Sequence, residues 1–577
     1  MLANRFSEFF DQKIARIYLS ISTTEENKKY YLPDMPFRIF CEFKSVSMEQ
    51  IEDIVKKANK TYCGRDPFPI KDIMETEKKI EVLKIYHKIV NLSLSKGIFP
   101  KLEKLVEVKP TLKGKLDAQK LESYRPITNA SFLSKVIEIA AKDQLCEHLE
   151  IINVIPEQQS AYRGHHSTET ALCGIVNDML ECLDEGKCGI LILLDLSAAF
   201  DTVEHELLID DLKYAAIEGD VLKWFRSYLT ERKYYVTING EKSETKSLQR
   251  GVPQGSVLGP ILFSVYTLEL SYILEEHGVK YKLFADDTQF FICIDNIKDT
   301  VSNIDNILKD IKEWMNNKKL KLNEGKTEVL LIGAKQNVQV YNDVNSVLIG
   351  NNRFELKDSV KDLGLRIDKG LTLNEQINNI VKVACYSLKN IAFIRKYLDE
   401  ASLKKLVHNL VMSRLDYCNS LYYNLPVYQL RKIQMVMNRA ARLIGGVSPR
   451  ERITPILIEL HWLLIKARMI YKICLLTYVA LNKDKPKYLR EKLTLFNTGL
   501  EVSVRHSHDV HRLNEPRSRT NNGTRAFSHS APRLYNKLPN KLKECANVEM
   551  FKKKLKTYLF EKCYDMEDKT ITDEFKV

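Results

Sequence analysis

Two carboxylates stand side by side in Phe284-Ala285-Asp286-Asp287, between the apolar runs Val279–Leu283 and Phe290–Ile294. Adjacent aspartates repel each other and resist desolvation, so a greasy segment retains them most readily when a multivalent cation neutralises the pair. A third carboxylate, Asp195, ends the apolar run Ile190-Leu191-Ile192-Leu193-Leu194. Three carboxylates from two apolar strands point to a two-metal phosphoryl-transfer site. Taken alone, an Asp-Asp pair equally marks a solvated turn.

The elements that must position these groups follow from the pattern around them. The run before Asp195 has the continuous apolar character of a strand buried on both faces, which puts the carboxylate at its C-terminal end. The Val279–Ile294 segment reads as a β-hairpin with Ala285-Asp286-Asp287 at or near its turn. Successive strand side chains point to opposite faces, so Asp286 and Asp287 are not equivalent ligands. A helix from Leu258 to about Leu270, a helix around Trp314 and a strand over Val329-Leu330-Leu331-Ile332 complete an α+β layer.

Asp195 opens Asp195-Leu196-Ser197-Ala198-Ala199-Phe200-Asp201-Thr202-Val203, and Arg250-Gly251-Val252-Pro253-Gln254-Gly255-Ser256-Val257-Leu258-Gly259-Pro260 stands between the two acidic sites. In this order and spacing the segments resemble the core motifs of a reverse transcriptase, and their wording is most similar to the non-LTR retrotransposons of the jockey-like branch. The resemblance implies an α+β right-hand polymerase, with fingers and a palm whose antiparallel sheet carries the Asp site, then a helical thumb and a C-terminal helical and basic region. It also implies an RNA-directed DNA polymerase that copies element RNA into cDNA from a DNA 3′-hydroxyl. The expected partners are an RNA template, a DNA primer or target, and deoxynucleoside triphosphates.

Two magnesium ions, for which manganese can substitute, would be held by Asp195, Leu196, Asp286 and Asp287. Asp195 and Asp286 would serve both ions and Asp287 a flanking role. Lys326, in Leu322-Asn323-Glu324-Gly325-Lys326-Thr327-Glu328, matches the family's motif near the leaving group and joins the three aspartates in the catalytic set as a general acid or charge clamp. Nucleotide contacts fall to Lys113, Arg125, Phe200, Gln254 and Gly255. Arg125 offers a planar fork for phosphates, Phe200 a ring beneath the sugar that rejects a 2′-hydroxyl, Gln254 an amide toward the template base or sugar, and Gly255 close backbone approach. Leu363 and Gly364 would form the tip of a primer-gripping hairpin over Val360–Asp368. Read singly, Phe200 is equally a core ring, and Lys326 and the lysines at 104, 109, 113 and 115 are equally a solvated face.

Length and composition agree with a large folded enzyme. The 577 residues are 44% hydrophobic, and 88 basic against 75 acidic residues leave a net charge of +13, a modest bias toward polyanions that should be local to a groove. The resemblance divides the chain into an N-terminal helical linker (1–60), fingers and palm (61–375), a helical thumb-like region (376–480) and a basic C-terminal region (481–577). Phe6, Phe9, Phe10, Ile14 and Ile17 give the linker a helical stripe. The endonuclease that the family places upstream is expected in a missing N-terminal part or in trans.

Twelve scattered cysteines without a C-x2-C pair argue for reduced thiols, against both a zinc knuckle and a disulfide framework. The absence of a signal pattern or a long apolar run suggests an intracellular chain, nuclear and cytoplasmic, without a membrane partner. His165, His166 and the His506–His511 stretch lack the spacing of a metal site. Arg512, Arg517, Arg519, Arg525 and Arg533 suit backbone contacts and base stacking as well as a solvated surface. The alternatives are a catalytically inactive or domesticated nucleic-acid-binding derivative, or a maturase of the group II intron type.

Overall fold

The structure is a computed structural model that describes residues 2–21, 38–58, 60–114, 116–333, 346–349, 352–496, 512–565, 567–568 and 570–576. Lys115 and the His506–His511 stretch lie outside the described residues. The chain folds as two compact units, and neither is continuous in sequence. One comprises residues 1–162, 194–278 and 306–326, the other residues 163–193, 279–305 and 327–577.

The first unit is built on a mixed sheet with strand order β2-β1-β4-β5, where β6 also pairs with β4. Its strands are β1 (Leu105–Leu112), β2 (Tyr124–Asn129), β4 (Arg232–Ile238), β5 (Glu241–Lys242) and β6 (Lys246–Leu248). β1 runs antiparallel to β2 and parallel to β4. The linker stripe is used as its spacing suggests: helix α1 (Leu2–Leu19) buries Phe6 and Phe10 against Val106, Val108, Tyr234 and Val236 of this sheet. Helix α2 (Phe132–Ile151) starts where the Ser131 hydroxyl accepts the Ser134 amide, an N-cap that satisfies one of the helix's orphan donors. The expected single helix after Leu258 is two, Gly259–Tyr266 and Leu268–Glu276, separated at Thr267. There the Thr267 hydroxyl folds back onto the Phe263 carbonyl at 3.0 Å, competing with helix continuation.

The second unit holds the larger sheet, in the order β10-β11-β9-β3-β8-β7. Its strands are β3 (Cys188–Leu194), β7 (Lys280–Phe284), β8 (Asp287–Ile294), β9 (Glu328–Ile332), β10 (Ser346–Ile349) and β11 (Asn352–Lys357). This sheet is mixed and corrects the antiparallel expectation: β9 is antiparallel to β3, but β11 returns parallel to β9. Helix α3 (Thr168–Asp184) opens with a capping box between Ser167 and Thr170, as the Ser-x-x-Thr spacing suggests.

One hydrophobic core runs from α3 and the sheet through the helices of the C-terminal half, including Asn374–Ile394, Val427–Gly445, Ile465–Lys483, Phe527–Tyr535 and Val548–Cys563. Neither 375 nor 480 is therefore a boundary of these units. Arg525 is a specific correction to the surface reading of the C-terminal arginines. It is 9% exposed, its guanidinium donates to the Leu371 carbonyl at 2.8 Å, and burial pulls its pKa down to about 10. All twelve cysteines are free thiols. No helix among the described residues is long and apolar enough to cross a membrane.

Lys282 on β7 carries a testable cost of burial. Its side chain lies over the Tyr488 ring with the ammonium 4.4 Å from the centroid, and Nζ donates to the Tyr281 carbonyl at 3.1 Å. Burial lowers its pKa from 10.5 to about 8, with Asp178 pulling it up and Lys492 pushing it down. Between those values the unfolded chain holds the proton and the folded chain does not, so stability rises with pH through that window. Lys282→Met should be more stable than wild type at neutral pH, by on the order of 3 kcal/mol before packing losses. The advantage should shrink as pH rises past about 8, as urea unfolding at matched pH values can read. A pH-independent difference would contradict the assignment.

Candidate active site

Asp195 follows β3 directly, at the C-terminal end that the apolar run predicts, and β3 itself is almost wholly buried. In the first unit its carboxylate Oδ2 accepts from Lys326 Nζ and from Asn323 Nδ2, both at 3.1 Å. The geometry comes from a short antiparallel bridge between Leu196 and Leu322, flanked by Asn323 N–H to Asp195 O at 2.8 Å and Ser197 N–H to Lys321 O at 2.9 Å. Leu196 is 7% exposed, and of its heavy atoms only the backbone carbonyl could reach a cation. Lys326 is two-thirds exposed, so its ammonium is tethered by the ion pair and not by packing.

The acidic pair sits in the second unit, in the hairpin its flanks suggest. Phe284 pairs with Asp287 across β7 and β8, leaving Ala285-Asp286 as a two-residue turn. Ala285 takes a φ of 58°, a left-handed conformation that costs a non-glycine residue about 1 kcal/mol. Asp286 is half-buried in the turn, and Asp287 is exposed at the first position of β8.

The Leu363-Gly364 tip is likewise a two-residue turn, between β12 (Ser359–Asp362) and β13 (Leu365–Asp368). Both tip residues have positive φ, 43° and 88°, the combination of a type I′ turn, and the Tyr417 hydroxyl donates to the Leu363 carbonyl. A Cβ at Gly364 would meet Tyr417 Oη at 3.3 Å.

Asp362, beside this tip, was not singled out by its motif. It is 4% exposed, and its Oδ2 has no hydrogen-bond partner. Burial and the charge of Asp287 push its carboxyl up to about 8. A carboxyl held protonated near neutral pH is not a ready magnesium ligand, although a divalent cation beside it would favour loss of its proton. Among the described residues no three His, Cys, Asp or Glu side chains converge closely enough to hold a metal ion as a group.

The residues expected to contact the nucleotide all lie in the first unit. Gln254 Nε2 donates to Asp201 Oδ2 at 2.7 Å, and burial raises the Asp201 carboxyl to about 6, with Lys13, Gln254 and Lys113 opposing the rise. Asp201 lies within the motif that Asp195 opens, yet its role is visible only through its partner 53 residues away. The close approach that Gly255 permits is to β2: its φ is 99°, a Cβ there would come within 2.9 Å of the Thr128 carbonyl, and the Thr128 amide donates to the Gln254 carbonyl at 2.7 Å. Phe200 stacks on Phe263 with centroids 4.5 Å apart. Arg125 is exposed on β2, opposite Thr111 of β1. Lys113 Nζ donates to the Glu122 carbonyl at 2.8 Å, and its pKa is lowered by burial and then by the charges of Lys13, Arg125 and Lys326. Of the other lysines in that stretch, Lys104 is buried beside Glu231 at 3.7 Å and does not belong to a solvated face.

Glu138 on α2 is a further residue that local patterning misses. Fully buried, it accepts from Ser134 Oγ at 3.0 Å, Tyr228 Oη at 3.1 Å, and the backbone amides of Val257 at 2.8 Å and Leu258 at 3.2 Å. It thereby pins the segment that follows Gln254 and Gly255.

Residues 111–367 match the family described as reverse transcriptase (RNA-dependent DNA polymerase). The RNA-directed DNA polymerase from mobile element jockey of Drosophila melanogaster is 26% identical over 426 residues, covering 72% of this chain and 45% of that protein. The probable RNA-directed DNA polymerase from transposon BS of the same fly is 24% identical over 464 residues, covering 77% of this chain and 49% of that protein. This chain thus spans about half the length of the curated relatives it matches. A solved telomerase from Candida albicans, in complex with a TWJ fragment of telomeric RNA, covers 65% of each chain at 13% identity and a TM-score of 0.33, too loose a likeness to argue from.

Proposed function

We propose, from the premise that residues 111–367 are a reverse transcriptase domain homologous to those of jockey and BS, that this chain is an RNA-directed DNA polymerase of a non-LTR retrotransposon. The observation that carries the reading is Asp195 directly after the buried strand β3, with Lys326 and Asn323 on its carboxylate. Fingers and palm correspond in this reading to 61–375, a thumb to 376–480, a linker to 1–60 and a basic region to 481–577. RNA template, DNA primer and deoxynucleoside triphosphates are its partners.

Two magnesium ions, when bound, supply Lewis acidity to the primer 3′-hydroxyl and neutralise charge on the triphosphate and departing pyrophosphate. Asp195 and Asp286 would hold both, with Asp287 and the Leu196 carbonyl at the flank. The remaining work falls to the chain. Lys326 stands ready beside Asp195 to meet negative charge on the leaving group. Lys113 and Arg125 hold phosphates, and the Gln254–Asp201 pair fixes one wall of the nucleotide pocket. Leu363 and Gly364 present a rigid tip to the primer end.

Phe200, braced by Phe263, would exclude a ribose 2′-hydroxyl. Phe200→Val should therefore lower the preference for deoxy- over ribonucleotides by roughly 10- to 100-fold, read from kcat/KM with the two triphosphates. The whole reading is tested by magnesium-dependent extension of a DNA primer on RNA and DNA templates side by side. Template binding without product, where a control polymerase extends, overturns it.

A further inference from the structure

We propose that the exposed face of the helix Asn374–Ile394 and of the turn after it binds an unpaired nucleic-acid strand, with Tyr386, Phe393 and Tyr397 stacking on bases and Lys382, Lys389 and Lys396 meeting phosphates. This face lies beyond residue 367, where the reverse transcriptase match ends, and binding there needs none of the polymerase chemistry.

The two sides of this helix have opposite fates. Ile377, Ile380, Ala384, Leu388 and Ile391 enter the hydrophobic core of the second unit. Lys382, Tyr386, Lys389 and Phe393 recur at steps of four, three and four residues, which places them in one stripe on the side away from that core. Tyr386 is 67% exposed and Phe393 83%, and in the turn Arg395–Tyr397 the Tyr397 ring is 75% exposed with Lys396 Nζ 4.8 Å from its centroid. Three large rings are thus left uncovered by the fold, and their burial is available to a ligand.

The charge of the surface selects that ligand. The helix Val427–Gly445 runs parallel alongside: the Tyr428 hydroxyl donates to Asn374 Oδ1 at 3.4 Å, Lys432 Nζ to Asn378 Oδ1 at 2.8 Å and the Arg439 guanidinium to Cys385 Sγ at 3.5 Å, each pair 54 residues apart. No Asp or Glu stands between Gln376 and Leu398 or between Tyr417 and Arg450, so neither helix body supplies a countercharge to its own lysines and arginines. A polyanion is the complementary partner. A helix that lies on a membrane puts its rings on one face and its lysines on the other, whereas here both share the exposed face. Protein interfaces are depleted in lysine. A duplex hides its base faces in the stack, while an unpaired strand offers them to the rings and carries its phosphates along the same track.

Fluorescence anisotropy tests the assignment, with the full chain and labelled oligo(U) or oligo(dT) of about twelve nucleotides as the two sources of an unpaired strand. Tyr386→Ala and Phe393→Ala should each weaken binding of at least one strand about 5- to 30-fold, and change affinity for a blunt duplex of the same length by less than about twofold. Tyr386→Phe should keep the affinity, because stacking needs the ring and not the hydroxyl. Lys382→Gln combined with Lys389→Gln should lower the slope of log affinity against log salt by about 1.4. All four side chains are exposed, so the substitutions leave the core untouched. Weakening on one strand alone supports the site and names its ligand. Equal weakening on strand and duplex would assign the face to a duplex backbone and overturn the proposal, as would ring variants that bind both strands like wild type. If wild type makes no cDNA yet the ring variants lose strand binding, the polymerase reading falls and this face stands; the reverse pair of results overturns this face alone.

Discussion

Asp195→Asn and Asp286→Asn should each cut primer extension by on the order of 10³- to 10⁴-fold, equivalent to about 4–5 kcal/mol of transition-state stabilisation. Asparagine is nearly isosteric with aspartate, and in the protein alone Asp195 serves as an acceptor for Lys326 and Asn323. The amide oxygen can take both hydrogen bonds, so folding and template affinity should change little. What is lost is the negative charge, which in the proposed mechanism would hold divalent cations at a phosphoryl group in transfer. Asp287→Asn should cost less, about tenfold in the same assay, because Asp287 opens β8 while Asp286 occupies the turn. The measurement is kcat at saturating magnesium, with primed-template affinity determined at the same salt concentration. Asp195→Asn activity within tenfold of wild type would remove Asp195 from the chemistry.

The residues of that prediction were legible because their signals are local. An apolar run that stops at an aspartate is a strand end whatever surrounds it, and β3 ends one residue before Asp195. The Ala285-Asp286 turn was likewise marked by the strands on either side, whereas the Leu363-Gly364 turn was expected only from the family resemblance. The break at Thr267 was not, because an apolar helical stretch does not reveal which hydroxyl will turn back on its own backbone.

Contacts across long sequence separations were the least visible. Gln254 meets Asp201, Asp287 acts on Asp362, and Asp184 at the end of α3 accepts the Thr520 amide and hydroxyl, both at 2.7 Å. Each pair joins segments that periodicity treats as independent. The basic C-terminal region illustrates the same limit. Its arginines look alike in sequence, yet Arg525 is buried against Leu371 while Arg512 lies over the Phe496 ring at the surface. Composition reports charge and not which face of an element carries it.

Glu138→Ala should be among the most damaging single changes outside the acidic residues, costing about 4 kcal/mol. The carboxylate accepts four hydrogen bonds in a site with no exposure, two of them from backbone amides just before the helix Gly259–Tyr266. Truncation to alanine leaves those donors without an acceptor and opens a void where water has no clear access. Glu138→Gln keeps the volume and one carbonyl oxygen, so its cost should be nearer 2 kcal/mol, and it should remain folded. Because a large chain in two units need not unfold in one step, the change is best read locally, by amide exchange at Val257 and Leu258. A 2 kcal/mol loss accelerates exchange there about 30-fold. The functional consequence follows from the chain itself: Val257 lies three residues after Gln254, so loosening it frees the amide that holds Asp201. Glu138→Gln should then raise the KM for the nucleotide more than it lowers kcat. Unchanged exchange at both amides would show that the carboxylate does not anchor this loop.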